Sequence, residues 1–161
     1  MTIKRTRTAL VIALVIALMA ATGTQFSARA DGGGASAPQL EGSWEITVMP
    51  DGGAPIVDIA TFTSNGGLMN SDPDPNLSTG HGTWVRTGGR EFAVTFVHFL
   101  SNQGTALGTL KVRSVIRLDR HSDTFTGPFR TDVIIGGNVV QSFCGTVQAR
   151  RINVEPIETC P

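Results

Sequence analysis

The chain has 161 residues, of which 40% are hydrophobic, and its 13 basic side chains balance its 13 acidic ones. This length suits one domain with a buried core, and no basic stripe with interleaved aromatic residues is present. Nucleic acid and anionic membrane surfaces are therefore excluded as expected partners.

The first thirty residues are typical of a secretory signal peptide. A basic start is followed by an apolar run over residues 9–21 and by the small-x-small triplet Ala-Arg-Ala at 28–30. The run is short for a membrane span, and the triplet fits a signal peptidase site. We predict that residues 1–30 are removed, that the mature protein is secreted or periplasmic, and that it keeps no integral membrane segment. The alternative is an uncleaved anchor.

Removal of this leader makes the protein mildly acidic. Four of the basic residues and none of the acidic ones lie in residues 1–30, which leaves nine against thirteen, a balance of −4. An acidic domain is a poor match for polyanionic partners. The expected partner is instead a small apolar molecule, for the reasons given below.

Residues 31–39 form a Gly-rich lead-in, and the chain changes character at Leu40. Short stretches rich in Val, Ile, Phe and Thr then alternate with Gly, Asn and Asp at intervals of roughly ten residues, the pattern of an all-β sandwich or barrel. We expect a β domain over 40–152 and a tail over 153–161. The predicted strands are 42–49, 55–64, 67–71, 81–87, 90–101, 106–119, 123–135 and 138–152.

Glycine-containing turns join most of these strands, so that neighbours in sequence should pair antiparallel. Consecutive hairpins without a crossover leave two free edges, which only closure removes. We therefore predict an eight-stranded antiparallel up-and-down barrel, with a β-sandwich as the alternative. The Pro-containing segment 71–80 predicts a mobile loop over one mouth of the barrel.

Period-two alternation assigns the faces of the strands. In the sixth strand, Val112, Ser114 and Ile116 fall on the predicted inward face. Both faces of the fifth strand are apolar, and we favour the face that carries Phe96 and His98 as the inward one.

Gly42-Ser43-Trp44, at the head of the first strand, resembles the G-x-W motif of calycins, the group that includes lipocalins. Arg150 or Arg151 lies near the end of the last strand, where those barrels place an arginine against the tryptophan. The resemblance implies an up-and-down barrel over 42–152, closed by a guanidinium on an indole, and we assign Arg150 to that role. Residues 80–110 also resemble a class of secreted bacterial proteins of unassigned function.

The two cysteines, Cys144 and Cys160, would both reach an oxidising compartment on export. A bridge between them would close a short loop, worth roughly 3 kcal/mol, and would pin the tail to the last strand. We predict this disulfide. The alternatives are two free thiols or a metal pair, although no further zinc ligands lie nearby.

The chemistry-bearing residues are few, and no catalytic, phosphate-binding or C-x-x-C motif is present, so no cofactor is predicted. His98 lies among apolar residues and is a candidate base, while His121 lies in a predicted surface turn. A metal site built from His81, His98 and Asp58 has no motif spacing behind it, and none is predicted.

Three functions remain open. The first is a secreted barrel that binds a small, mostly apolar ligand. The second is an isomerase or cyclase similar in outline to allene oxide cyclases and dirigent-like barrels, with His98 and Ser114 transferring the proton. The third is a surface interaction protein that uses Ala93, Val97 and Phe99. The predicted ligand-binding residues of the first hypothesis are Trp84, Phe96, His98, Ser114 and Phe129.

Overall fold

The computed structural model describes residues 39–159, and these form a closed barrel of eight antiparallel strands. The strands are β1 (Gly42–Pro50), β2 (Ile56–Phe62), β3 (Gly67–Ser71), β4 (Gly80–Gly88), β5 (Glu91–Asn102), β6 (Thr105–Leu118), β7 (Thr124–Ile135) and β8 (Asn138–Arg151). The predicted all-β class and barrel topology are confirmed, in place of the sandwich. The predicted leader and Cys160 lie outside the described residues. Within residues 39–159 no helix is long and apolar enough to cross a membrane.

Each strand pairs with its neighbours in sequence, and β1 pairs with β8 to close the ring. The closing register runs from Trp44 opposite Arg151 to Pro50 opposite Gly145. The β7–β8 turn has two successive residues at positive φ, Gly136 at 57° and Gly137 at 80°. That geometry fits the twist of two-residue hairpins, and it explains why glycines occupy this turn.

The two ends of the barrel differ. The β2–β3, β4–β5 and β6–β7 turns and the segment before β1 lie at one end, where Trp44, Leu40, Phe92 and Leu118 are almost fully buried. These side chains fill this end of the barrel and form its closed floor. Burial of each one contributes roughly 1.5–3 kcal/mol to stability. The β1–β2 and β3–β4 connections lie at the opposite end and border the opening.

The inward face of β5 is the one predicted. Phe92, Val94 and His98 are buried, whereas Phe99 is 71% exposed on the other face. Gly82, on the inward face of β4, allows this packing, since a Cβ at this position would clash with the carbonyl oxygen of Thr95. The strands approach too closely there for any side chain.

The assignment of Arg150 to barrel closure is wrong, and Arg151 has that role. The Arg151 guanidinium lies 4.2 Å from the ring centroid of Trp44 and donates hydrogen bonds to the carbonyl oxygens of Glu41 and Ser122. Arg150 points outward, where it forms a bidentate ion pair with Glu45 at 3.0 and 3.1 Å. Because side chains alternate along a strand, a difference of one residue moves the arginine to the opposite face.

Candidate functional site

A cavity of about 570 Å³ occupies the barrel above the floor. Side chains from β1, β2, β3, β5, β6, β7 and β8 line it, and most are apolar. Its apolar lining includes Ile46, Val48, Ala60, Phe62, Val94, Phe96, Leu110, Val112, Ile116, Phe129, Phe143 and Val147. Asp51, Asp72 and Leu77 come from the connections at the opening, so the cavity extends to that end.

Four of the five residues predicted to bind ligand line this cavity, namely Phe96, His98, Ser114 and Phe129. Trp84 lies elsewhere. Its indole N–H donates to the carbonyl oxygen of Thr63 at 3.1 Å, and its ring packs 5.6 Å from Phe92 at the floor. The position of Trp84 along β4, close to the closed end, removes it from the cavity wall.

His98 is a fixed part of the wall. Its side chain is only 2% exposed, and its Nδ1 lies 2.6 Å from the carbonyl oxygen of Ser78. A carbonyl only accepts, so Nδ1 carries a proton and Nε2 is the nitrogen left for another partner. A Cβ on Gly80 would lie 2.8 Å from Nε2, which shows that the glycine makes room for the imidazole.

The contact with Ser78 also anchors the β3–β4 connection, which includes the predicted mouth loop. The Ser78 amide donates to the carbonyl oxygen of Phe99 at 3.0 Å, and the Ser101 amide donates to that of Asn76 at 2.8 Å. The second half of the loop is therefore held against β5 at the opening by backbone hydrogen bonds.

The structure does not bring His98 and Ser114 together. In the β5–β6 register His98 is opposite Leu110 and Ser114 is opposite Val94, so the two positions differ by four residues along the pair, roughly 13 Å. The Ser114 hydroxyl donates to the carbonyl oxygen of Pro128 at 2.8 Å. A direct proton relay between these two side chains has no geometric support.

The main polar feature of the cavity is a pair of buried side chains on adjacent strands, Asp58 on β2 and Asn70 on β3. They are 6% and 2% exposed, and Asn70 Nδ2 donates to Asp58 Oδ2 at 3.3 Å. The Oδ1 atoms of both residues have no hydrogen-bond partner among the described residues. Each such acceptor costs about 1–3 kcal/mol when it stays unsatisfied, so the pair is a site at which a donor would be stabilised.

Burial raises the pKa of Asp58 from 3.8 to about 6, and the nearby carboxylate of Asp72 raises it further, while the hydrogen bond from Asn70 opposes the shift. A carboxyl group with such a pKa changes charge near neutral pH. Sequence reasoning weighed Asp58 as a metal ligand and did not predict it in the lining of the cavity. In the structure Asp58 shares the inward face of β2 with Ala60 and Phe62, a face that the sequence does not mark because the other face of this strand is apolar as well.

The charges along the cavity are all negative. Carboxylates of Asp51, Asp58, Asp72 and Asp74 line it, and no lysine or arginine does among the residues that the structure describes. Asp72 Oδ1 accepts a hydrogen bond from the Asp74 amide at 2.7 Å, so that part of the rim is locally ordered. A positive ligand group would be attracted to this end of the barrel.

The residues weighed for a metal site do not meet. His81 is exposed on the outer face of β4, whereas His98 and Asp58 line the cavity. No group of three or more His, Cys, Asp or Glu residues between 39 and 159 is arranged to hold a metal ion. His121 is exposed in the β6–β7 turn, as predicted.

The outer face carries one ordered polar network, which sequence reasoning missed. Asp132 accepts from Arg113 at 2.6 Å, from Arg130 at 2.9 Å and from the Ser142 hydroxyl at 2.7 Å. These donors hold the pKa of Asp132 well below its usual range. The network joins β6, β7 and β8 and faces away from the cavity.

Cys144 is exposed on β8 and forms no disulfide with any described residue. Its predicted partner, Cys160, lies outside the described residues, so the disulfide stays a prediction.

Comparison of the chain with models of known protein families, with curated proteins and with solved structures finds no match.

Proposed function

We propose that this protein is an exported binding barrel that holds one small, mostly apolar molecule in its lumen. The observation that carries the proposal is the cavity of about 570 Å³, lined mainly by aliphatic and aromatic side chains. Ligand pockets are typically about 300–1,000 Å³ and mostly apolar. Eight strands can enclose a lumen filled by side chains or one that holds a small ligand, and the volume of this lumen favours the second.

The position of the polar groups supports the same function. Asp58, Asn70 and His98 are isolated within the apolar lining, and Asp58 and Asn70 each have one oxygen without a hydrogen-bond partner among the described residues. A few polar groups in an otherwise apolar pocket fix the orientation of a bound molecule. The predicted signal peptide and the resemblance to calycin barrels are consistent with a carrier outside the cytoplasm.

Binding of the neutral fluorescent dye N-phenyl-1-naphthylamine tests the proposal, because its emission increases in an apolar environment. Val112 lines the cavity, and Val115 on the same strand is 50% exposed on the outer face. We expect saturable binding of one dye per chain, weakened by more than about tenfold in Val112→Trp, where the new ring occupies the lumen. The matched variant Val115→Trp should bind as the wild type does. Equal dye affinity in the two variants, or no dye binding by the wild type, would refute the proposed function.

A second function, catalysis of an isomerisation or cyclisation by proton transfer, is favoured by one observation. The Asp58 carboxyl, with its pKa of about 6, and His98 line the same cavity, and perturbed titratable groups in a pocket are typical of acid–base sites. For a substrate that the barrel converts, Asp58→Asn should abolish turnover while substrate binding persists. Unchanged turnover in that variant would exclude Asp58 from the chemistry.

A further inference from the structure

The class of ligand can be narrowed from the polar groups of the cavity. We infer that the ligand carries a cationic amine, which binds against Asp58 and Asn70 while its apolar body fills the lumen. This inference rests on the proposed binding function and adds the chemistry of the head group.

The hydrogen-bonding capacity at this point of the wall favours a donor. Asn70 Nδ2 already donates to Asp58 Oδ2, and the two atoms without a partner, Asp58 Oδ1 and Asn70 Oδ1, are both acceptors. The two side chains are at least nine-tenths buried, so bulk water does not satisfy these oxygens freely. An ammonium group offers three donors and no acceptor, so it matches a site whose two unpartnered atoms are both acceptors.

The charge of the surroundings favours a cation over a neutral donor. The titratable groups that line the cavity around Asp58 are Asp51 after β1, Asp72 and Asp74 after β3, and His98 on β5. Neither arginine nor lysine lines the described cavity, so the carboxylates are not neutralised from within it. In an apolar site an ion pair with hydrogen bonds is much stronger than in water.

His98 is engaged with the β3–β4 connection and not with Asp58. Its Nδ1 donates to the carbonyl oxygen of Ser78, and Gly80 lies against Nε2. The histidine therefore serves the anchoring of the loop, and the Asp58–Asn70 pair is left for the ligand.

The inference predicts a dependence on pH. Burial and the Asp72 carboxylate keep the Asp58 carboxyl partly protonated near pH 6, whereas a bound ammonium would favour its ionised form. Amine binding should therefore strengthen as pH rises from 5 to 7.5 and should release protons near pH 6. A neutral ligand of the same shape should show neither effect.

Competition against N-phenyl-1-naphthylamine tests the inference with octylamine, 1-octanol and octanoate, which share one chain length. At pH 7.5 we expect octylamine to displace the dye at concentrations at least about tenfold lower than 1-octanol does, because hydrogen bonds to a charged group are the stronger ones. Octanoate should be the weakest competitor. The advantage of the amine should shrink at pH 5.

Asp58→Asn is the decisive variant, and it keeps the shape of the site. It should lose the preference for octylamine over 1-octanol, a ratio measured within the same variant that a general change in dye affinity does not alter. Glu91→Gln removes the same charge from an exposed position at the closed end and should keep the preference. If amine and alcohol compete equally, if octanoate is preferred, or if Asp58→Asn keeps the preference, the inference is overturned while the binding function stands. Failure of the dye to bind, or dye binding that Val112→Trp leaves unchanged, would instead remove the proposed function and the inference with it.

Discussion

Replacement of Asp58 by Asn should stabilise the barrel at neutral pH. The pKa of this carboxyl is 3.8 in the unfolded chain and about 6 in the barrel, and the largest cause is burial. A difference of about 2 pKa units corresponds to about 3 kcal/mol that the folded state loses when the group is ionised. Between these two pH values the folded state binds more protons than the unfolded one, so the free energy of unfolding falls as pH rises through this window.

The asparagine variant has no charge to bury at any pH. Its amide N–H can also donate to Asn70 Oδ1, which has no partner in the wild type. Urea unfolding, followed by circular dichroism, should therefore give the variant an advantage of about 3 kcal/mol at pH 7, and the advantage should vanish near pH 4.

Glu91→Gln, which removes an exposed charge, is the control and should differ from the wild type by less than about 0.5 kcal/mol across this range. An advantage of Asp58→Asn that is independent of pH, or a loss of stability at pH 7, would refute the view that this carboxyl is buried at an energetic cost.

Three other predictions concern the frame around the cavity. Arg151→Ala loses the stacking on the indole of Trp44 and several hydrogen bonds to carbonyl oxygens, so it should lower the free energy of unfolding by about 3 kcal/mol. Arg150→Ala, which loses only an exposed ion pair, should lower it by less than about 1 kcal/mol. Equal losses in the two variants would contradict the assignment of barrel closure to Arg151. The pKa of Asp132 is depressed by its arginine and serine donors, so its contribution to stability is present above about pH 4 and is lost as pH falls. Asp132→Asn should thus be less stable than the wild type at pH 7, and an unchanged acid unfolding profile would disprove this linkage. Finally, Cys144 and Cys160 of the exported protein should resist alkylation by iodoacetamide until a reductant is added, and labelling of both thiols without reductant would show that no bridge exists.

Much of the fold could be predicted from local signals. Glycine pairs such as Gly136-Gly137 supply the positive φ angles that tight hairpin turns require. Period-two alternation gives the inward faces, because successive side chains of a strand point to opposite sides of the sheet. The absence of any long crossover then left closure as the way to satisfy both edge strands.

Details that depend on register or on height within the barrel could not be predicted in this way. The choice between Arg150 and Arg151 depends on a one-residue register with β1, and neighbouring basic residues carry no local signal for it. Trp84 shares the inward phase of the lining residues, but the stagger of the strands places it at the floor.

The Asp58–Asn70 pair was missed for a similar reason. On β2 the outward residues Val57 and Ile59 are apolar, like the residues that usually face a core. The alternation of polar and apolar residues along this strand therefore does not mark Asp58 as inward. Only the pairing of β2 with β3 brings the carboxyl group to the amide, since Asn70 lies opposite Ala60, two residues along the strand. Contacts between strands are set by tertiary structure, and a single sequence shows them weakly.

A crystal structure of the protein soaked with N-phenyl-1-naphthylamine would show whether the lumen is a ligand pocket. We expect one dye molecule inside the barrel, in contact with Phe96, Val112 and Phe129. A lumen filled by side chains, or a dye molecule bound only on the outer face, would contradict it.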